Sequence, residues 1–258
     1  PLWLKIQKEE IQMRNLKRAL SLALAAIMLI GMMVVSACAV SYNDLTDKDQ
    51  IVNKDAVSML VSLGIIEGKP DGSYAPTENV DRAQMAKMLS VIMNKGVDNS
   101  ALYQSVNSGL VDVNTNWAKG HINYCYTTGI IAGRGNGKFD PSATVTALEA
   151  AKMLLVAVGY DPAIEGFEGA DWAINVSVRA DEQGIFEGFT KDLSAPLNRD
   201  DAALLIYNAL DVEMIQSYTT NNYPIAYSDH RTILADKYGV IKVQGVVVAN
   251  EWASLASD

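Results

Sequence analysis

One five-residue string recurs at three places and narrows what this chain can build. Gly64-Ile65-Ile66-Glu67-Gly68, Gly129-Ile130-Ile131-Ala132-Gly133 and Gly184-Ile185-Phe186-Glu187-Gly188 each begin twelve residues before a proline, at Pro76, Pro141 and Pro196. Val52, Trp117 and Trp172 stand the same twelve residues ahead of each first glycine. Regular recurrence signals one supersecondary unit used repeatedly, and a unit this small cannot bury its apolar face alone. The expected fold is mainly α: three helix-loop-helix repeats packed as a pseudo-threefold bundle, with grooves between neighbouring copies.

Within a unit, apolar residues at helical spacing lead up to the glycine, as with Val52, Val57, Leu60 and Leu63 in the first copy. The glycine then serves as the left-handed residue that ends a helix. Asp71-Gly72 and Asn136-Gly137 are turn signals that predict short hairpin-like loops, whereas the third copy reads Thr190-Lys191-Asp192. A second helix opens at Asp81, Thr146 or Asn198 as N-cap. Gln84 and Glu149 complete capping boxes three residues on, and Asp201 gives an imperfect one.

The Trp near the first helix, G-I-I-x-G, D-G-x-F-x-P and the box at the second helix together resemble the S-layer homology repeat, over about residues 42–211. That resemblance implies a triplet of repeats that anchors a surface protein to a secondary cell-wall polysaccharide linked to peptidoglycan. The polymer is acidic and often bears ketal-linked pyruvate. The resemblance also implies that the box arginine binds ligand, which maps to Arg82 in Asp81-Arg82-Ala83-Gln84 and to Arg199 in Asn198-Arg199-Asp200-Asp201. The second copy reads Thr146-Ala147-Leu148-Glu149 and lacks it, and the third is three residues short between proline and arginine.

A cation in the first turn of a helix opposes the helix dipole. With the free N–H groups there it can instead hold a carboxylate or phosphate. The plainer alternative is a surface arginine paired with Asp or Glu. Trp117 and Trp172 could stack on sugar rings or pack into the core, and Val52 at the matching place in the first copy favours packing.

Residues 1–39 read as a leader and signal peptide: Arg14, Lys17 and Arg18 precede an uncharged run from Ala19 to Val35 and then small residues. Ala37-Cys38-Ala39 predicts cleavage before Val40, while Val35-Ser36-Ala37-Cys38 also fits a lipobox that would lipidate Cys38. An uncleaved anchor is the weaker reading, because the run falls short of the roughly 20 residues that span a bilayer. Pro1 to Gln12 are expected to be untranslated upstream sequence, since Lys8-Glu9-Glu10 can be encoded by a ribosome-binding site. The repeats occupy 40–98, 106–162 and 163–215. Residues 216–258 begin a β-rich region that reads as truncated, around Tyr223–Tyr227 and Val240–Val248.

The net charge is −9 for the whole chain and −12 without residues 1–39, and no Lys/Arg run follows Arg18, so nucleic acid is a poor partner. Two cysteines, neither in a metal-binding spacing, exclude a disulfide framework and predict no metal or cofactor. Cys125 falls on the repeat position of Leu60 and Ala180 and reads as buried and apolar; His121 and His230 sit in no triad pattern. The expected function is thus a secreted, non-catalytic wall anchor. Two alternatives stand beside it: the tether of a larger cell-wall enzyme, or a self-assembling surface-layer subunit.

Overall fold

The structure, a computed structural model, describes residues 41–242. The leader with its cleavage site and Cys38, and the segment from Val243 through Trp252, lie outside the described residues. Seven α-helices and one small antiparallel sheet appear among the described residues: α1 Lys54–Ser62, α2 Arg82–Met93, α3 Lys119–Thr127, α4 Ala147–Val158, α5 Trp172–Glu182, α6 Arg199–Ala209, the strands β1 Ile215–Tyr218 and β2 Pro224–Ala226, then α7 Ile233–Tyr238.

The recurrent string ends a helix in the same way each time. Gly64, Gly129 and Gly184 take φ of 70°, 79° and 70°, and the N–H of the following isoleucine reaches back to Leu60, Cys125 or Ala180. This is the six-to-one bond of a Schellman motif, and it turns Ile65, Ile130 and Ile185 into the core. The second helices start on caps: Asp81 and Thr146 form reciprocal boxes with Gln84 and Glu149, while Asn198 accepts from the Asp201 N–H alone. An Asp at position 201 is one methylene too short to reach back as Gln84 and Glu149 do.

Helices pair between units rather than within them. α3 packs on α2, α5 on α4, and α1 packs on α6, so the first and last helices of the repeat region close the set. At the centre, just ahead of each second helix, three backbone bonds form a closed ring. Val80 N–H donates to Leu197 O (2.9 Å), Leu197 N–H to Val145 O (2.8 Å) and Val145 N–H to Val80 O (3.0 Å). All three residues are buried, so each peptide there satisfies its neighbour where water cannot.

The ring corrects the alignment of the third unit. Pro196 bridges Thr146 as Thr144 bridges Asp81 and as Asn79 bridges Asn198, so Pro196 takes the place of Asn79 and Thr144, not of Pro76 and Pro141. Leu193 holds the latter place: its carbonyl receives the Leu148 N–H, as Pro141 receives Ala83 and Pro76 receives Asp200. The three missing residues therefore come out of the loop, not from between proline and arginine. Loops in the first two units close as hairpin-like turns at Lys69–Ser73 and Arg134–Lys138 without extended strands.

Val52 also departs from expectation. It lies ahead of α1 and is 81% exposed, so it supplies no packing. The tail is not purely β-rich either. β1 and β2 form a short hairpin, Val240–Lys242 are not in a strand, and α7 was not foreseen. This tail caps the C-terminal ends of all three second helices: Tyr238 Oη donates to Ile92 O, Leu234 N–H to Leu210 O, and Ile215 lies against Gly159. Ile233 and Leu234 are buried in the process.

Candidate functional site

Arg82, in the first turn of α2, does not point to solvent. It is 4% exposed, its Nε donates to Phe139 O and its second guanidinium nitrogen to Ala132 O, both at 2.8 Å. The guanidinium lies 4.3 Å from the centre of the buried Phe139 ring. Arg199 repeats this on the first unit's loop, with Nε on Tyr74 O (2.7 Å), a contact to Glu67 O (3.3 Å) and the Tyr74 ring 4.8 Å below. Among the described residues neither arginine pairs with a carboxylate. Burial, with Arg134 nearby, lowers the Arg82 guanidinium to about 10, which leaves it charged at neutral pH.

Two grooves are built around these cations, each from all three units. The larger, about 340 Å³, sets Arg82 from the first unit against Ala132 and Arg134 from the second unit's loop, Lys152 from α4, and Trp172 at the start of α5. The other, about 260 Å³, sets Arg199 against Glu67 and Lys69, Lys87 from α2, and Trp117 just ahead of α3. Trp117 is 58% exposed and lines a groove wall, while Trp172 is half-buried and does both, packing against the core with one part and lining its groove with another. The matching third position has Ala147 for arginine, Leu204 for lysine and Val52 for tryptophan, beside an open depression with Tyr207. The absent second-copy arginine thus leaves the third unit's loop without its cation.

Sequence reading missed five contributors. Asp47 accepts the N–H groups of Tyr74 and Ala75 (2.7 and 2.8 Å), and Asp112 those of Phe139 and Asp140 (2.9 and 2.8 Å). Ala75 and Asp140 sit at φ of 56° and 60°, a conformation L-residues adopt at a cost, and the carboxylates hold both loops there under the arginines. Burial opposes the charge on Asp112, but the two N–H donors outweigh it and keep the carboxyl below its ordinary range. The signal was present: each aspartate stands five residues before Val52 or Trp117, with Phe167 at the third place. No sequence signal marks Lys87, Lys152 and Arg134, which join the grooves only where the fold brings in Trp117 or Trp172 from the next stretch.

Other polar groups are structural. Ser90, His121 and Asp98 approach a triad in composition, with Ser90 Oγ 2.5 Å from His121 Nδ1 and Asp98 3.5 Å from Nε2. Ser90 and His121 are buried, however, and the hydroxyl also lies 3.0 Å from the Lys87 carbonyl within its own helix, leaving no approach for a substrate. Burial raises the Cys125 thiol well above its ordinary value, so it is unreactive. His230 is exposed beside Glu213. Asp71 and Asp192 each accept from a serine two residues on, as turn formers.

These features define a class: a repeat-built helical body whose second helices present arginines into grooves between units. The S-layer homology domain matches residues 41–86 and 111–151 of the chain, two stretches of the repeat region. Domains of this family anchor surface proteins to the cell wall, which places the chain at the cell surface or wall. It is 30% identical over 206 residues to a cell surface protein of Thermoanaerobacter kivui, covering 79% of this chain and 26% of that protein. Over 113 residues it is 32% identical to an S-layer protein of Bacillus licheniformis, with 44% and 12% covered. Over 185 residues it is 30% identical to an amylopullulanase of Thermoanaerobacterium thermosulfurigenes, with 66% and 10% covered. The chain thus spans about a quarter of the first of these relatives and less of the other two.

Proposed function

We propose that residues 41–242 are a non-catalytic anchor that holds a secreted surface protein on an acidic secondary cell-wall polysaccharide, through the grooves of Arg82 and Arg199. In this reading the three helix-loop-helix stretches are divergent copies of one repeat about a pseudo-threefold axis, a reading supported by the closed ring at Val80, Val145 and Leu197. The observation that carries the function is Arg82: a buried guanidinium whose hydrogen bonds go to carbonyls, with no carboxylate in direct contact, lies at a groove wall. Taking such a charge out of water is expensive, and an anionic ligand offsets that expense. Trp172 and Trp117 supply flat apolar faces for sugar rings beside the charge. Two grooves on one body raise residence time on a polymer that offers many equivalent sites.

The match to an amylopullulanase favours a second reading at the level of the whole protein, in which this module tethers a catalytic domain. The anchor itself is the same in both. Sedimentation of the full chain with native wall sacculi, with sacculi stripped of secondary polysaccharide, and of the Arg82→Ala/Arg199→Ala variant with native sacculi tests it. Binding should vanish on stripping and weaken in the variant. Equal binding to stripped walls would rule out the polysaccharide and point to peptidoglycan or to a protein partner, self-assembly included.

A further inference from the structure

The loops that the two arginines close correspond residue for residue, and they differ in chemistry at the tip. Arg82 donates to Ala132 O and Phe139 O, and Arg199 to Glu67 O and Tyr74 O, so each guanidinium bridges the two arms of one loop. The tips read Asp71-Gly72 in the first stretch and Asn136-Gly137 in the second. We propose that Asn136 is a self-modification site: it converts spontaneously to aspartate and isoaspartate, and the longer isoaspartyl backbone loosens the hairpin from Arg82. Neither step depends on the polysaccharide.

Asn136 and Gly137 take φ of 50° and 67°, and Lys138 N–H donates to Gly135 O (3.0 Å), which makes the left-handed pair of a type I′ turn. All four residues are exposed. Neither the Asn136 amide nor the Gly137 N–H has a hydrogen-bond partner among the described residues, and Gly137 has no Cβ to shield its nitrogen. In the first loop the matching nitrogen is engaged, for Gly72 N–H donates to Lys69 O (2.8 Å). Asp71 there accepts from the Ser73 N–H and hydroxyl (2.9 and 2.7 Å), which hold its carboxyl below the ordinary range, and a carboxylate has no amide to lose.

Once the exposed turn opens, the Gly137 nitrogen attacks Asn136 Cγ. A C–N bond forms there as the bond from Cγ to Nδ2 breaks, and Nδ2 leaves as ammonia with the proton that Gly137 gives up. Water then opens the cyclic imide. Addition at Cγ gives aspartate; addition at the Asn136 main-chain carbonyl gives isoaspartate, whose backbone runs through Cβ and Cγ and is one carbon longer. That carbon enters a two-residue turn spanned by the Lys138 to Gly135 bond and by the bond from Arg134 N–H to Lys138 O (2.8 Å). Ala132 and Phe139, the acceptors of Arg82, lie just beyond those bonds on either arm, so the distortion reaches both.

The full chain is aged at mildly alkaline pH beside Asn136→Gly, which keeps a left-handed turn and has no amide, and beside native chain aged in urea. Peptide mass spectrometry with isoaspartyl detection locates the product, and hydrogen exchange by NMR follows the Nε–H signals of Arg82 and Arg199. Asn136 should convert ahead of every other asparagine in residues 41–242, mainly to isoaspartate. In the converted protein Arg82 Nε–H should exchange about tenfold faster, as for a weakened charge-assisted bond, and Arg199 Nε–H at its former rate. Ageing should leave both rates unchanged in Asn136→Gly. Unaged Asn136→Asp, which has the charge without the extra carbon, should exchange as the fresh protein does. An Asn136 that keeps its amide while the chain in urea loses it overturns the site. Isoaspartate that forms with no faster exchange at Arg82 overturns the loosening. No wall polymer enters either readout, so a failure of the anchoring function would show only in the sedimentation test.

Discussion

Replacing Arg82 by alanine separates what this residue does for the fold from what it does for a ligand. The guanidinium makes two charge-assisted bonds to Phe139 and Ala132, linking the first unit's second helix to the second unit's loop. Bonds of this kind contribute about 1.5–3 kcal/mol each, and the stacking on Phe139 adds about 1 kcal/mol. Against this stands the burial of the charge. Lowering the guanidinium from 12.5 to about 10 corresponds to roughly 3 kcal/mol against the charged form. The difference leaves Arg82→Ala less stable by about 2 kcal/mol, or about 4–8 °C in melting temperature for a domain of this size. Thermal and urea unfolding at pH 7 measure it. Acidic wall polysaccharide should raise the native melting temperature by a larger margin than that of the variant. A variant that melts at or above the native temperature would refute the staple, because it would mean that the two carbonyl bonds do not offset the burial of the charge.

Three further outcomes follow from particular contacts. Ending the chain after Val212 removes the cap that buries Ile233 and Leu234, and should lower stability by about 3–6 kcal/mol in urea titrations. Gly120→Ala should cost about 3 kcal/mol or prevent folding, since a Cβ on α3 would lie 2.1 Å from the Ser100 carbonyl; circular dichroism with urea unfolding reads it. Burial lowers the His121 pKa despite the opposing pull of Asp98, so the native state holds a neutral imidazole where the unfolded chain takes up a proton. Stability should therefore be intact above the unfolded pKa of 6.5 and fall as pH drops below it, and His121→Gln should flatten that part of the profile.

Much of the local structure was legible because it depends on bonds within a few residues. A glycine followed by isoleucine ends a helix by contacts five residues back, so Gly64, Gly129 and Gly184 could be read without a partner. The caps at Asp81, Thr146 and Asn198 are local in the same sense, including the weakness of Asn198 with Asp201. Pro196 misled because a count of residues cannot show where a deletion falls. The Pro196 bridge to Thr146 and the bond from Leu148 to Leu193 put the loss in the loop. Val52 misled because an apolar residue in register with two tryptophans suggests packing, when all three positions face grooves.

By itself the sequence determined the local signals: where the first helix of each stretch stops and the second starts, that there are three such helix-loop-helix stretches, and that two carry an arginine in the box. Those features are set by backbone geometry and short-range hydrogen bonding. Tertiary structure alone decided that α1 pairs with α6, that each groove draws on all three helix-loop-helix stretches, and that Lys87 meets Glu67 while Lys152 meets the Phe167 carbonyl and the Trp172 ring. An apolar face states that it will be buried but not against what, and a lysine on a helix states its charge but not its neighbours. Both are settled only when the chain closes on itself.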